Sequence, residues 1–263
     1  MSGDLLAEIE REAMQEKPDL PALLRKCIAL GGISGSVALR DWATRELKGY
    51  GDGDTLPGYR TIPAVLALDG ATMTHRVTGQ PISPASLPDI ARKVVKEEVP
   101  LPGPIAELTD AIKEARGRGD DHVNFGIPAG SALTALTNHE LRVKGVHYQT
   151  IERIYWRCAV TSLVGVVDTV HTNLVELVAE MRAGVGRGHA VPGKELADRA
   201  VRIVIHGDRN RVEVAQAVAA TGGTAEVNVA SDGESRARKV MYWAGGLATV
   251  AAAVIALLVW HPW

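Results

Sequence analysis

From Met241 to Val259 the chain runs nineteen residues without a charged side chain, and this stretch constrains its architecture more than any other. At about 1.5 Å per residue a helix of that length just crosses a hydrocarbon layer about 30 Å thick. Tyr242 and Trp243 stand at one end and Trp260 and Trp263 at the other, where amphipathic rings favour the two headgroup interfaces. Arg236, Arg238 and Lys239 precede the stretch, and His261, Pro262 and Trp263 follow it. The expectation is one transmembrane helix over 240–260, with the positive-inside bias holding the N-terminal bulk in the cytoplasm. Residues 1–10 are acidic and amphipathic with no basic n-region, so insertion is expected from the C-terminal stretch rather than from a secretory signal. Within the span Ala244, Ala248 and Ala252 recur every four residues, with Gly245 and Thr249 beside them. Such a small-residue face lets helix backbones approach closely, although an alanine-rich plain anchor shows the same spacing.

Upstream of the span, 29 Lys+Arg against 31 Asp+Glu and 46% hydrophobic residues exclude a disordered chain or a uniformly basic nucleic-acid coat. Aromatic residues are 4%, with one phenylalanine, Phe125, so the core must be aliphatic. The two cysteines, Cys27 and Cys158, form no CxxC pair, which argues against a disulfide scaffold or a zinc knuckle.

Leu5, Leu6, Ile9 and Ala13 keep helical spacing, and Asp19 ahead of Leu20-Pro21 has the chemistry of an N-cap. A third helix is expected over Val37–Lys48 with Leu39, Trp42, Ala43 and Leu47 on one face, ending at the Gly49 to Asp54 loop, whose acids read as solvated turn residues. Asp69-Gly70 between two apolar runs reads as a hairpin turn. Ile105, Leu108, Ala111 and Ile112 restore helical spacing, and residues 150–181 read as one long helix. A glycine-rich linker over 184–198 then leads to a small β-hairpin module over 199–235, its first strand at 201–206. The predicted class is α+β: a mainly helical cytoplasmic domain over 1–183 with small antiparallel hairpins, the short β module, and one C-terminal transmembrane helix.

No nucleophile with its base, phosphate-cradling loop or metal constellation stands out, so no catalytic residue, cofactor or metal site is expected and the chain does not read as an enzyme. Asp120-Asp121-His122, and His139 with His147, lack a metal-binding frame. Asp168 and His171 lie one helical turn apart and fit a core contact as well as a proton-handling pair. The basic candidates for gripping phosphates are Arg142 and Lys144, Arg153 and Arg157 at i, i+4 spacing, and Arg202, Arg209 and Arg211, each equally compatible with ordinary surface charge.

At Leu23-Leu-Arg-Lys-Cys-Ile28, Trp42, Glu46-Leu-Lys-Gly-Tyr50 and Leu56-Pro-Gly-Tyr-Arg60 the chain resembles the AbiTii domain of bacterial abortive-infection proteins. The resemblance continues to the segment from Leu163 to Leu174 and covers about the first 180 residues. Such a domain joined to a single span is similar in architecture to the channel effectors of Hailong-type antiphage systems. The resemblance implies a homo-oligomer, a tetramer or thereabouts, because one helix alone cannot enclose a pathway through lipid. It further implies an ion-conducting pore that depolarises the bacterial inner membrane, controlled by a nucleotide or single-stranded DNA oligomer made by a partner nucleotidyltransferase. Two other readings stay open: a tail-anchored, non-conducting recruitment module, and a membrane-tethered nuclease using Asp120, Asp121 and His122.

Overall fold

The structure is a computed structural model that describes residues 4–185 and 191–207. In chain order its helices and strands are α1 (Leu5–Ala13), α2 (Leu20–Ser34), α3 (Val37–Lys48), β1 (Thr61–Pro63), β2 (Val65–Thr72), β3 (Arg76–Pro81) and α4 (Asp89–Arg92). They continue with β4 (Glu98–Pro100), α5 (Ile105–Arg118), β5 (His122–Gly126), α6 (Gly130–Val143), β6 (Gln149–Ala159), α7 (Val160–Gly184) and α8 (Lys194–Ile205). This is the α+β class expected. The expected span over 240–260, the residues on its packing face and interfaces, and the hairpin beyond residue 207 lie outside the described residues.

The chain divides into two units. The first takes residues 4–54, 102–110 and the described part of 164–207, and is helical. Three of its helices start on side-chain caps: Asp4 accepts from the Ala7 N–H at 3.1 Å, Asp19 from Ala22 at 2.9 Å, and Ser36 from Leu39 at 3.1 Å. Each cap satisfies one of the donors that a helix start leaves unpaired. Leu6, Ile9, Leu23, Leu24, Leu30, Leu39 and Trp42 from α1–α3 are buried together with Val166, Val170, Leu174, Leu177 and Met181 of α7. The Lys26 ammonium ties α2 to α1 through Glu8 at 2.7 Å and Glu12 at 2.6 Å. Arg182 ties α7 to α1 through Asp4 at 2.8 Å and Glu10 at 3.2 Å.

Among the described residues, α7 is long and apolar enough to cross a membrane by length and composition. Its apolar face is nevertheless buried in this unit, and His171 Nε2 reaches the Ala13 carbonyl at the end of α1 at 2.8 Å. His171 therefore caps a neighbouring helix, and the Asp168–His171 pairing weighed from sequence is replaced by this contact.

The second unit takes residues 55–101 and 111–163. β1 pairs antiparallel with β4, and a four-stranded antiparallel sheet runs in the order β3-β2-β6-β5. Two of its strands correct the sequence reading. Asp69-Gly70 is no turn: β2 runs straight through it, and the chain reverses at Met73-Thr74, closed by the Thr72 N–H to the His75 carbonyl at 2.8 Å. Glycine is needed at position 70 for close approach, because a Cβ there would lie 2.7 Å from the Thr150 carbonyl oxygen.

The helix expected over 150–181 is likewise a strand, β6, followed by α7. Asp69 pairs with Arg153 and Gly70 with Ile151, so Glu152 is an extra residue, a bulge. The bulge throws Ile151 onto the same buried side as Ile154, and this i, i+3 spacing imitates a helix. A third correction falls at residues 201–206, expected as a strand, where α8 runs from 194 to 205 and also occupies the end of the expected linker. Ala197, Ala200 and Val201 of α8 are buried; that helical spacing overrides the local β-branched propensity.

Gly31 and Gly32 of α2 offer a matched pair. A Cβ on Gly31 would lie 2.8 Å from the backbone N of Arg40 on α3, whereas one on Gly32 meets nothing within 4 Å. Gly31→Ala is expected to lower the unfolding free energy by about 1–3 kcal/mol through overpacking. Gly32→Ala is expected to raise it by about 0.5–1 kcal/mol through helix propensity. Urea unfolding of the two variants checks both signs.

Candidate functional site

On β6 the side chains alternate: Ile154, Trp156 and Cys158 enter the core, and Arg153, Tyr155 and Arg157 lie on the opposite face of the sheet. Across the ladder, Asp69 of β2 stands opposite Arg153, and Asn124 of β5 opposite Arg157. The Asp69 side chain is only 9% exposed. Its Oδ1 accepts the Gly79 N–H at 2.7 Å and the Tyr155 hydroxyl at 2.8 Å, and its Oδ2 accepts from Arg153 Nε at 2.5 Å. Burial pushes the Asp69 pKa up, but the bonds from Gly79, Arg153 and Tyr155 outweigh it and hold the carboxyl below its ordinary value. Burial, with Asp69 next, raises the Tyr155 phenol.

Gly79 sits at a second bulge, where β2 and β3 shift register around Asp69, with φ +68°. That left-handed conformation suits glycine. The buried carboxylate thus sits where both bulges meet.

Arg153 is clamped by Asp69 at Nε and lies over the Tyr155 ring at 4.8 Å, while its side chain remains 60% exposed. Its terminal amino groups have no acceptor among the described residues, so they are free for a ligand. Arg157 donates to the Gly79 carbonyl at 3.3 Å and to His122 Nδ1 at 2.9 Å. No carboxylate among the described residues lies within ion-pair distance of Arg157. Four residues at about 3.3 Å each place the two guanidinium-bearing positions about 13 Å apart along one strand. The face therefore offers two oriented cations, Arg157 among them without a carboxylate in direct contact, which suits phosphate oxygens.

The i, i+4 pairing of Arg153 and Arg157 foreseen on a helix is realised on a strand, since both periods return to one face after four residues. The other basic candidates stand elsewhere. Arg142 donates to the Asn138 carbonyl of its own helix at 3.3 Å, and Lys144 pairs with Glu140 at 3.4 Å. Arg202 belongs to the helical unit, where Ala38, Glu195, Asp198, Arg199 and Arg202 line an open groove of about 530 Å³. Arg209 and Arg211 lie outside the described residues. Asp120 pairs with Arg118 at 2.8 Å, Asp121 contacts His122 at 2.5 Å, and among the described residues no group of three His, Cys, Asp or Glu could hold a metal. Asp54 bonds Arg45 at 2.8 Å and the Gly51 N–H at 2.9 Å, as a turn acid does. Cys27 and Cys158 are buried, and burial pushes both thiols up to about 12.

Sequence reasoning missed Asp69 and Tyr155, the centre of the face. The signal was present: an acid inside the otherwise apolar run from Ala64 to Leu68 onward has to be buried with partners.

The residues behind the sequence resemblance also have visible tasks. Glu46, fully buried, accepts the Tyr50 hydroxyl at 2.5 Å, and the Tyr50 N–H bonds the Pro102 carbonyl at 2.8 Å. Arg60, fully buried, donates to the Leu101 carbonyl at 3.3 Å while its own carbonyl accepts from the Leu101 N–H at 2.8 Å. The family model AbiTii matches residues 4–202, most of the chain. The chain belongs to the AbiTii family. Membership makes it a protein of antiphage abortive infection. The AbiTii match runs past the closing segment expected near residue 180 and takes in most of α8. No curated protein and no solved structure matches the chain.

Because the folded Asp69 pKa is lowered, its stabilisation is present above the unfolded carboxylate value of about 3.9 and is lost as pH falls through the folded value. Asp69→Asn leaves two buried bulges without their charged acceptor and is expected to cost about 1–3 kcal/mol at pH 7. The gap between the variant and the parent should shrink as pH drops below about 4. Denaturation midpoints measured across that pH range check it.

Proposed function

We propose that this AbiTii protein is a membrane effector of abortive infection: it oligomerises, conducts ions through its spans and depolarises the inner membrane. A nucleotide or single-stranded DNA oligomer, the product of a partner nucleotidyltransferase, controls it. The observation that carries the reading is the uncharged run Met241–Val259, with basic residues ahead of it and aromatic rings at both ends. A cytoplasmic N-terminal bulk would put the Arg153 and Arg157 face on the side where such a ligand is made. The small-residue face of Ala244, Gly245, Ala248, Thr249 and Ala252 supports close packing between spans. No residue is assigned to catalysis. The family's antiphage role agrees with a lethal output of this kind.

Induction of the full chain in bacteria, with membrane potential followed by a dye, tests the pore. Loss of potential is expected with the intact chain, and not with Gly245→Leu or with a chain ending at Ser235. Unchanged defence after replacing the span by an unrelated leucine-rich anchor would overturn conduction and favour a recruitment module.

The ligand face is tested separately. Arg153→Glu with Arg157→Glu is expected to weaken binding of a single-stranded oligonucleotide at least about tenfold and to lower its salt slope by about one to two. Arg142→Glu with Lys144→Glu, away from that face, should do less. Equal losses in the two pairs, measured by anisotropy at several salt concentrations, would remove the sheet face from the site.

A further inference from the structure

His122 Nδ1 lies 2.5 Å from Asp121 Oδ1 and 2.9 Å from Arg157 Nη2. The carboxylate can only accept and the guanidinium can only donate. One ring nitrogen cannot serve both. Without its proton, Nδ1 accepts from Arg157 and confronts a carboxylate lone pair. With its proton, it donates to Asp121 and confronts a guanidinium N–H. No tautomer or charge state of His122 satisfies all three groups.

The surrounding charges do not resolve the conflict, because they are engaged elsewhere. Arg118 and Asp120, just ahead of β5, pair with each other. On β2, Asp69 is held by Arg153, Tyr155 and Gly79. On β3, Arg76 pairs with Glu152 of β6. Asn124, opposite Arg157 on the ladder, is uncharged. Arg157 is left with one long bond to the Gly79 carbonyl and the contested nitrogen.

We infer that Arg157 and His122 form a subsite for a phosphoryl oxygen, and that filling it is coupled to protonation of His122. The neutral Nδ1–H tautomer also donates to Asp121, but only protonation raises the summed charge of Asp121, His122 and Arg157 from zero to plus one with that donor in place. Arg157 Nη2, no longer bound by the imidazole, then donates to the anion instead. The anion supplies the acceptor that the protonated state lacks, so it stabilises protonated His122, and protonated His122 in turn favours the anion. Asp121 opposes any anion at the subsite until His122 neutralises it, which makes the subsite weak when His122 is neutral. The inference rests on the sheet face being a phosphate-binding surface, and adds where a phosphate sits and how pH controls it.

Sulfate is the probe, since it stays a dianion across the range in which histidines titrate. The full chain in detergent, with labelled imidazoles, is titrated by NMR. Sulfate is expected to move the His122 resonances and shift its titration midpoint upward, with binding tighter by about fivefold at about pH 5.5 than at about pH 8. His122→Phe should abolish the pH dependence, Arg157→Ala the response itself, and Arg157→Lys should restore part of it if charge rather than folding was lost. Sulfate binding that ignores pH, or persists in Arg157→Ala, overturns the subsite. Oligonucleotide binding that leaves the His122 signals unmoved overturns the subsite while the nucleic-acid reading stands. Loss of both overturns both.

Discussion

A carboxylate buried in the middle of a sheet is costly unless donors surround it, and the second unit of this protein is arranged around that requirement at Asp69. Its three partners come from two strands: a backbone N–H at the β3 bulge, and a phenol and a guanidinium from β6. Both register shifts in the sheet fall at this residue. A one-residue change of register would turn every side chain of β6 over. The Asp69 contacts and the apolar alternation therefore favour one and the same register, in which Ile154, Trp156 and Cys158 enter the core while Arg153 and Arg157 stay outside. Asn138 secures the far end of the same strand by bonding both the N–H and the carbonyl of Ile151 at 2.8 Å.

Much of the helical unit was legible because its signals are local. Asp19 caps α2, Leu39 and Trp42 are buried on α3, and Gly49 ends α3 with φ +93°. The sheet was less legible because its signals are relational. Asp69-Gly70 has the composition of a turn, but its acid answers to Arg153, 84 residues on, and no local window contains both. Ile151 and Ile154 keep a helical interval only because Glu152 bulges. The sequence of α8 reads as alternating over Val201–Ile205, and only the buried Ala197 and Ala200 one turn earlier show which period governs. Arg153 and Arg157 were paired correctly on the wrong element, since a four-residue interval is common to both periods.

Several residues by which the chain resembles its family act as joints. Glu46 and Tyr50 close the end of α3 onto the segment at Pro102, and Arg60 stitches its neighbourhood to Leu101. A buried glutamate or arginine with hydrogen-bonding partners is strongly destabilising to disturb, which explains why such residues mark a fold. The proposed ligand face lies apart from them, on an exposed sheet surface where ordinary surface charge and a binding surface look alike in sequence. Only the three-dimensional pairing distinguishes Arg153, clamped with its outer donors open, from Lys144, matched to Glu140 on its own helix.

The two thiols carry a last consequence. Cys27 and Cys158 are the chain's whole complement of cysteine, and burial holds both protonated far above neutral pH. Thiolate is the form that attacks disulfides and peroxides. Neither cysteine therefore offers a reactive sulfhydryl in the folded protein, and a redox signal would have to unfold it locally to reach one.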